Sequence, residues 1–184
     1  MRAAKGIDTL IDAIAFLSQG DSRPRLVLVG SGPDESKLAQ QAEACGVASQ
    51  VKFAGVRPAR EAFKLGRVLV VPSRAESLPY VVLEAAAAQV PMVATDVGGI
   101  GEIFGPFRDR LIEPNDAEVL ANALHRILAQ PTQQTAEDAR ALASFVRTKF
   151  KISDMADAVL AGYAEALAAH RPHTNSTTYA FPSL

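Results

Sequence analysis

Two glutamates, Glu76 and Glu84, have seven residues between them in the segment 73–87. Glu76 falls in the loop after the apolar run 68–71, and Glu84 falls more than one turn into a helix predicted from 80 to about 88. A carboxylate accepts two hydrogen bonds at once, so it can hold a vicinal diol such as that of ribose. The helix start adds free backbone N–H groups and a positive dipole end, which suit phosphate or sugar hydroxyls. When such a pair occurs in isolation, one glutamate is more often a solvated loop residue and the other an ordinary helix residue. The rest of the sequence must therefore show whether these two glutamates bind a ligand.

The other reactive side chains give weaker signals. Three histidines, His125, His170 and His173, lie on a predicted packing helix and near the C-terminus, where surface positions are commoner than catalytic ones. The single cysteine, Cys45, lies in an alanine-rich helical stretch, which favours a packing role in a reducing compartment. The sequence contains no Asp-x-Asp and no His-Cys cluster with ligand spacing, so we expect no metal site.

Composition limits the class of protein and its partners. The chain has 184 residues, with 19 lysines and arginines against 20 acidic residues and a formal net charge of -1. This balance does not favour nucleic acid or an anionic membrane surface as a partner. No apolar run approaches the length of a membrane span, and the N-terminus lacks a signal-peptide pattern. We therefore expect a soluble, cytoplasmic domain; peripheral membrane contact through another domain of a longer enzyme would leave no trace here.

The elements that must position the two glutamates alternate between helix and strand. An amphipathic helix begins at about Ile7, and short apolar runs typical of strands buried on both faces follow. We predict strands at 26–29, 51–53, 68–71, 92–95 and 111–112. Further helices are predicted at 33–45, 59–65 and 80–88, with a brief one around 102. This alternation predicts an α/β fold with a Rossmann-like, doubly wound parallel sheet, which binds ligands at the carboxyl ends of its strands.

The C-terminal third is predicted to be helical. Asp116 is a good N-cap for a helix at 119–128, and helices at 136–150 and 153–168 follow; we expect them to cover the sheet. The last residues are polar and aperiodic, which is typical of a tail. The predicted organisation is one domain over 1–168 and a polar tail over 169–184.

Several blocks of the sequence, in this order, resemble the group 1, or family 4, glycosyltransferases. The loop and helix from Glu76 to Glu84 look like the E-x7-E motif of that family. The segments 2–11, 26–33, 51–55, 93–99 and 114–116 resemble its other blocks. The order of these blocks, rather than any single one, makes chance agreement improbable. The resemblance implies the GT-B architecture, in which two Rossmann-like domains face each other across a cleft, and this chain resembles the C-terminal, donor-binding one.

The resemblance also implies roles for individual residues. Lys5 should contact the pyrophosphate of a nucleoside-diphosphate sugar, Glu76 the sugar being transferred and Glu84 the ribose. The backbone at Ser77 and Leu78 should supply N–H donors.

A second set of residues should line the nucleoside pocket. These are Gly30, Ser31 and Gly32, together with Val56 in the stretch after the second strand, where glycine lets the backbone approach a ligand closely. The family has a Gly-Arg pair, whose arginine holds pyrophosphate, at a position that falls ahead of residue 1. Arg2 lies near that position but out of register, and we assign it the role by proximity alone.

Two other segments depart from the family pattern. Ser77-Leu78-Pro79 stands where members often carry Gly-Phe-Gly, a change that should keep the helix start but alter which donor sugar fits. The segment 105–110 is more charged than the family's usual turn, and the sequence assigns it no role.

The family mechanism implies sugar transfer with retention at the anomeric carbon and without a metal or other cofactor. Lys5 and the helix start would stabilise charge on the leaving phosphate, and Glu76 would orient the sugar rather than act as a nucleophile. The acceptor would be bound by an N-terminal domain that this chain lacks. We therefore expect the chain alone to bind donor but to transfer no sugar, and the helix at 153–168 and the tail to run toward that other domain.

Three alternatives stay open at this point. Gly30-Ser31-Gly32 after a buried strand suggests a dinucleotide-binding oxidoreductase, but Glu35 occupies the position of the third glycine of that fingerprint. A sugar-nucleotide epimerase of the same architecture would bind a similar donor. A non-catalytic interaction domain could also keep the fold, although the joint presence of Lys5, Glu76 and Glu84 argues against it.

Overall fold

The computed structural model describes residues 1–20 and 23–169 of the chain. These residues fall into two compact units, one over Met1–Thr148 and a second that begins at Lys149. Apart from Ala169, the predicted tail at 169–184 lies outside the described residues, and so do His170 and His173.

The first unit is built on parallel strands at the predicted positions. Strand β1 (Leu26–Leu28) pairs with β2 (Val51–Phe53), and β3 (Leu69–Val71) pairs with β4 (Met92–Ala94). A single parallel bridge between Thr95 and Ile112 stands where we predicted a last strand. The α/β class with parallel strands is therefore confirmed. The sheet differs from the prediction in one respect: β1 and β3 do not pair, so it consists of two separate pairs of strands.

Helices connect the strands. Those that begin in the first unit are α1 (Ile7–Leu17), α2 (Glu35–Ala44), α3 (Ala59–Ala62), α4 (Tyr80–Ala87), α5 (Ile100–Phe104), α6 (Ala117–Ala129) and α7 (Thr132–Lys149). Short 3₁₀ helices occupy Ala3–Lys5, Ala48–Gln50 and Gly105–Arg110. Helix α3 is shorter than predicted, because the Lys64 amide bonds to the Glu61 carbonyl in the tighter 3₁₀ pattern.

The main core lies between α1, α6 and the sheet. Leu10 and Ile11 of α1 and Leu120 and Leu124 of α6 are buried, and the two helices pack against each other. Asp116 caps α6 as predicted: its Oδ1 accepts a hydrogen bond from the Val119 amide at 2.9 Å. This core holds α1 in place, and the residues just before α1 carry one of the candidate site residues.

The described part of the second unit contains one helix, α8 (Ile152–Ala169). Its apolar side chains are exposed, namely Ile152, Met155, Val159, Leu160, Tyr163 and Leu167. No helix among the described residues combines the length and apolar character required to span a membrane.

Candidate functional site

Glu76 and Lys5 lie together at the carboxyl end of β3. Glu76 Oε1 is 2.6 Å from Lys5 Nζ and accepts a second hydrogen bond, also 2.6 Å long, from Ser73 Oγ. The Glu76 side chain is 10% exposed, whereas that of Lys5 is 53% exposed. The carboxylate is thus fixed on one oxygen, while the ammonium group keeps open sides on which a second anion could bind.

The local sequence explains how Lys5 reaches this position. The Ala3–Lys5 turn ends at Gly6, which has a φ of 62°. A Cβ at Gly6 would lie 1.9 Å from the carbonyl oxygen of Pro72, the residue after β3. Only glycine permits both this conformation and this close approach. The Arg74 amide completes the contact by donating to the Ala4 carbonyl at 2.8 Å.

The Arg74 side chain joins three segments around the site. Its guanidinium donates to the Ala3 carbonyl at 2.6 Å, to Asp8 Oδ2 at 2.7 Å and to Thr9 Oγ1 at 3.0 Å, and it also contacts Asn115 Oδ1. Burial acts to raise the pKa of Asp8, but the hydrogen bond and the charge of Arg74 outweigh it and hold that pKa below its usual value. The bond to Asp8 raises the pKa of Arg74 in turn. Arg74 therefore positions the turn that carries Lys5.

The loop after Glu76 rests directly on the chain that follows β4. The Gly99 amide donates to the Ser77 carbonyl at 2.6 Å. A Cβ at Gly98, where φ is 50°, would lie 1.7 Å from the Glu76 carbonyl oxygen. The side chains of Ser77 and Leu78 are exposed above this contact. The assignment of their N–H groups to a ligand stays a prediction.

Glu84 lies in a different environment. It is exposed on α4, one turn beyond the helix start, where the amides of Val82 and Leu83 donate to the Pro79 carbonyl. Glu84 shares the wall of a cavity of about 810 Å³ with Gly30 and Val56. Neither Lys5 nor Glu76 lines that cavity.

The glycine-rich segment after β1 approaches the N-terminal residues. Gly30 has a φ of 123°, and its amide donates to the Gly55 carbonyl at 2.8 Å. The carbonyl of Ser31 accepts a hydrogen bond from the Met1 amino group, and Gly32 lies against Met1. The Arg2 side chain is exposed, while its carbonyl accepts a 2.9 Å hydrogen bond from the Lys5 amide.

The structure thus brings Lys5 into contact with Glu76, and Glu84 separately lines the same cavity as Gly30 and Val56. Sequence reasoning did not single out Ser73 or Arg74. Both lie two to three residues after the strongly apolar strand β3, at the end of a parallel strand where ligand-binding residues commonly occur.

The charged segment 105–110 has a structural explanation. Arg108 Nε is 2.8 Å from Asp96 Oδ2, and this hydrogen bond raises the pKa of Arg108. Asp96 comes shortly after β4, so the pair ties the Gly105–Arg110 3₁₀ helix to the end of that strand. The guanidinium of Arg110 lies 4.3 Å from the centre of the Phe107 ring.

Parallel strands with a lysine and carboxylates at their carboxyl ends define a Rossmann-like α/β domain of the ligand-binding type. The family model described as "Glycosyl transferases group 1" matches residues 1–144. The chain therefore belongs to this family of glycosyltransferases, and it corresponds to the C-terminal domain of the GT-B architecture.

Individual proteins agree with this assignment. The chain is 41% identical over 122 residues to TuaC, a glycosyltransferase assigned to teichuronic acid biosynthesis in Bacillus subtilis (strain 168); the match covers 66% of this chain and 29% of TuaC. Anabaena HepE, solved in complex with UDP and glucose, superposes with a TM-score of 0.76 at 26% identity, over 92% of this chain and 46% of that one. The C-terminal domain of LpcC from Francisella tularensis shares the fold, with a TM-score of 0.68 at 23% identity over 83% of each chain. The matched segment spans less than a third of the length of TuaC.

Proposed function

We propose that this chain is the donor-binding domain of a retaining, metal-independent glycosyltransferase that uses a nucleoside-diphosphate sugar. The observation that carries the proposal is the 2.6 Å contact between Lys5 and Glu76, which lies between the end of β3 and the start of α4. Family membership and the similarity to HepE, whose crystal structure contains UDP and glucose, support the same donor class.

The reaction breaks the bond between the anomeric carbon of the sugar and the diphosphate oxygen, and negative charge builds on the departing phosphate. Lys5, which is half exposed, provides a positive charge for that phosphate. The start of α4 adds the positive end of a helix dipole. These groups are in place before the donor binds, so stabilising the leaving group costs little reorganisation.

The two glutamates bind different parts of the donor. Glu76 holds Lys5 and Ser73 with one oxygen, which leaves the other oxygen to accept sugar hydroxyls. Glu84 is exposed on the wall of the cavity that Gly30 and Val56 also line, a suitable place for the ribose diol. Glu76 then acts by orienting the sugar, not by forming a covalent bond to it.

The acceptor is assigned to a second domain. In a two-domain cleft the acceptor and part of the water-excluding wall come from the opposite side, so one half alone loses both positioning and desolvation. Positioning of this kind corresponds to effective molarities of about 10⁵ M or more, so we expect no measurable sugar transfer by this chain alone. We place the reaction in the cytoplasm, because a single cysteine suits a reducing compartment.

The proposal is tested by calorimetric titration of the chain with UDP, GDP, ADP and TDP in the presence of EDTA. At least one diphosphate should bind, and added Mg²⁺ should not be required. Lys5→Ala should weaken that binding by about tenfold or more, because a charge-assisted contact to phosphate is lost. Lys149→Ala, which removes an exposed lysine at the end of α7, is the matched control and should leave the affinity unchanged.

Two results would contradict the proposal. If none of the diphosphates bound to a folded chain, the site would not be a donor site. If binding occurred only with a divalent metal, the metal-independent mechanism would be wrong and the counter-charge would come from the ion rather than from Lys5.

A further inference from the structure

Ser73 carries a buried hydroxyl group beside the candidate site. It lies two residues after β3 and is only 1% exposed. Its Oγ is 2.6 Å from Glu76 Oε1. A carboxylate only accepts hydrogen bonds, so the serine hydroxyl is the donor in this contact. Because a hydrogen bond to a charged group is stronger than one between neutral groups, this contact can fix the orientation of the Glu76 carboxylate.

A second buried hydroxyl group anchors Ser73. Thr95 directly follows β4 and is 2% exposed. Its Oγ1 donates to the Ser73 carbonyl at 2.6 Å, and its amide donates to the Val71 carbonyl at 3.1 Å. Buried carbonyl groups require hydrogen-bond partners, so removing this hydroxyl would loosen the start of the loop after β3. Glu76 is therefore connected through Ser73 to the β3–β4 pair.

Lys5 contacts the same oxygen of Glu76, but its contact is easier to break. The Lys5 side chain is 53% exposed and carries its charge at the end of a flexible stem. Ser73 lies three positions from Glu76 in one loop, whereas Lys5 belongs to a segment 71 positions away. The contact with Ser73 thus depends on the loop alone, whereas the contact with Lys5 depends on where its ammonium group points.

A bound diphosphate would change the partners of Lys5. It carries more negative charge than a single carboxylate, so the exposed ammonium group would turn toward the phosphate oxygens. The contact between Lys5 and Glu76 would then weaken when Glu76 has to orient the sugar. The buried hydroxyl of Ser73 cannot follow the phosphate, so its bond to Glu76 would remain.

We propose that Ser73 is a positioning residue, which keeps Glu76 oriented toward the transferred sugar when Lys5 turns from Glu76 to the donor phosphate. This inference rests on the proposed function, because it takes Lys5 to bind phosphate and Glu76 to bind sugar. Ser73 bonds to Oε1 and leaves Oε2 of Glu76 available for sugar hydroxyls. Thr95 supports the same orientation by holding the Ser73 carbonyl.

The experiment measures the affinities of UDP and UDP-glucose, or of whichever diphosphate and sugar donor the parent chain binds. Ser73→Ala should reduce the affinity for the sugar donor about fivefold or more relative to the affinity for the bare diphosphate, because Glu76 loses its fixed orientation. Lys5→Ala should reduce the affinity for the bare diphosphate at least as much as the affinity for the sugar donor, because both ligands carry phosphate.

Variants of Thr95 separate positioning from stability. Thr95→Val removes the buried hydroxyl and should shift the ratio of the two affinities in the same direction as Ser73→Ala, by a smaller factor. Thr95→Ser keeps a hydroxyl and should restore the parent ratio. Thr135→Val is the matched control. Thr135 is 8% exposed, and its Oγ1 donates to the Pro131 carbonyl at 3.0 Å at the start of α7, which contributes no residue to the candidate site. This control should lower the thermal midpoint without changing the ratio.

The outcomes distinguish failure of this inference from failure of the proposed function. If the parent chain bound no diphosphate, both would be overturned. If the parent chain bound both ligands and Ser73→Ala weakened them by the same factor, Ser73 would have a structural role only. A selective loss of the sugar donor with Lys5→Ala would show that Lys5 stays on Glu76, which also contradicts the inference. If Ser73→Ala failed to fold, the comparison of Thr95→Val with Thr95→Ser would decide, and equal ratios in these two variants would overturn the inference.

Discussion

Glu76 and Glu84 belong to the same short motif, yet their surroundings differ. Glu76 is nearly buried, with two hydrogen bonds to one oxygen and glycines pressed against its loop. Glu84 is exposed on α4, and its place is set by the helix backbone alone. The loop half of the motif is therefore organised in advance, whereas the helix half presents an open carboxylate. The fixed Glu76 suits the transferred sugar, which must be oriented for reaction, and the exposed Glu84 suits the ribose, which only has to be bound.

The largest expected effect comes from disturbing the turn that brings Lys5 to Glu76. Gly6→Ala would place a Cβ against the Pro72 carbonyl in a residue with positive φ, and should lower the free energy of unfolding by about 3 kcal/mol or more. Gly46→Ala is the matched control, because Gly46 has a φ of 72° but open space around it, and should cost about 1 kcal/mol. Urea unfolding measures both. Equal losses of unfolding free energy in the two variants would show that the turn carrying Lys5 is not packed against the end of β3.

A smaller effect should follow loss of the Arg74 contacts. Arg74→Ala removes hydrogen bonds to α1 and to the Ala3–Lys5 turn, and should lower the free energy of unfolding by about 1 to 3 kcal/mol. Arg74→Lys should recover only part of this, because an ammonium group cannot reproduce the planar fork. Arg57→Ala, at an exposed arginine with a local contact to the Ala54 carbonyl, serves as control. Full recovery by lysine would mean that charge alone, not geometry, holds the turn.

The smallest effect concerns pH. The pKa of Asp8 is lowered by Arg74, so this ion pair contributes stability above the pKa of the unfolded aspartate. That contribution is lost as pH falls through the lower pKa of the folded state. The difference in free energy of unfolding between the parent and Asp8→Asn should therefore shrink below about pH 4. A difference that stayed constant or grew toward low pH would contradict the predicted sign.

Much of the fold follows from local patterns in the sequence. Apolar runs gave all four strands, and Asp116 was recognised as a helix cap because its side chain acts within three residues. The division of the sheet could not be foreseen, since strand pairing depends on which segments are present side by side. Arg74 was missed for a similar reason: its partners Asp8 and Asn115 are distant in sequence, and only the fold brings them together.

In the site, too, local sequence patterns did not predict contacts between residues that are distant in the chain. The resemblance identified Lys5 and Glu76, and the structure places them in contact. Their separation by 71 positions meant that no spacing rule could predict a direct bond. The assignment of Glu84 to ribose and of Glu76 to the sugar stays a prediction until a ligand is measured.

The most direct test of this division of roles is a set of four affinities. Glu84→Ala and Glu76→Ala are each titrated with UDP and with UDP-glucose, or with whichever nucleotide and sugar the parent chain binds. Glu84→Ala should reduce the binding free energy of both ligands equally, by about 1 to 3 kcal/mol, because ribose is present in each. Glu76→Ala should reduce the affinity for the sugar-bearing ligand more than the affinity for the bare diphosphate. Equal losses for both ligands with Glu76→Ala, or unchanged affinities with Glu84→Ala, would contradict the account.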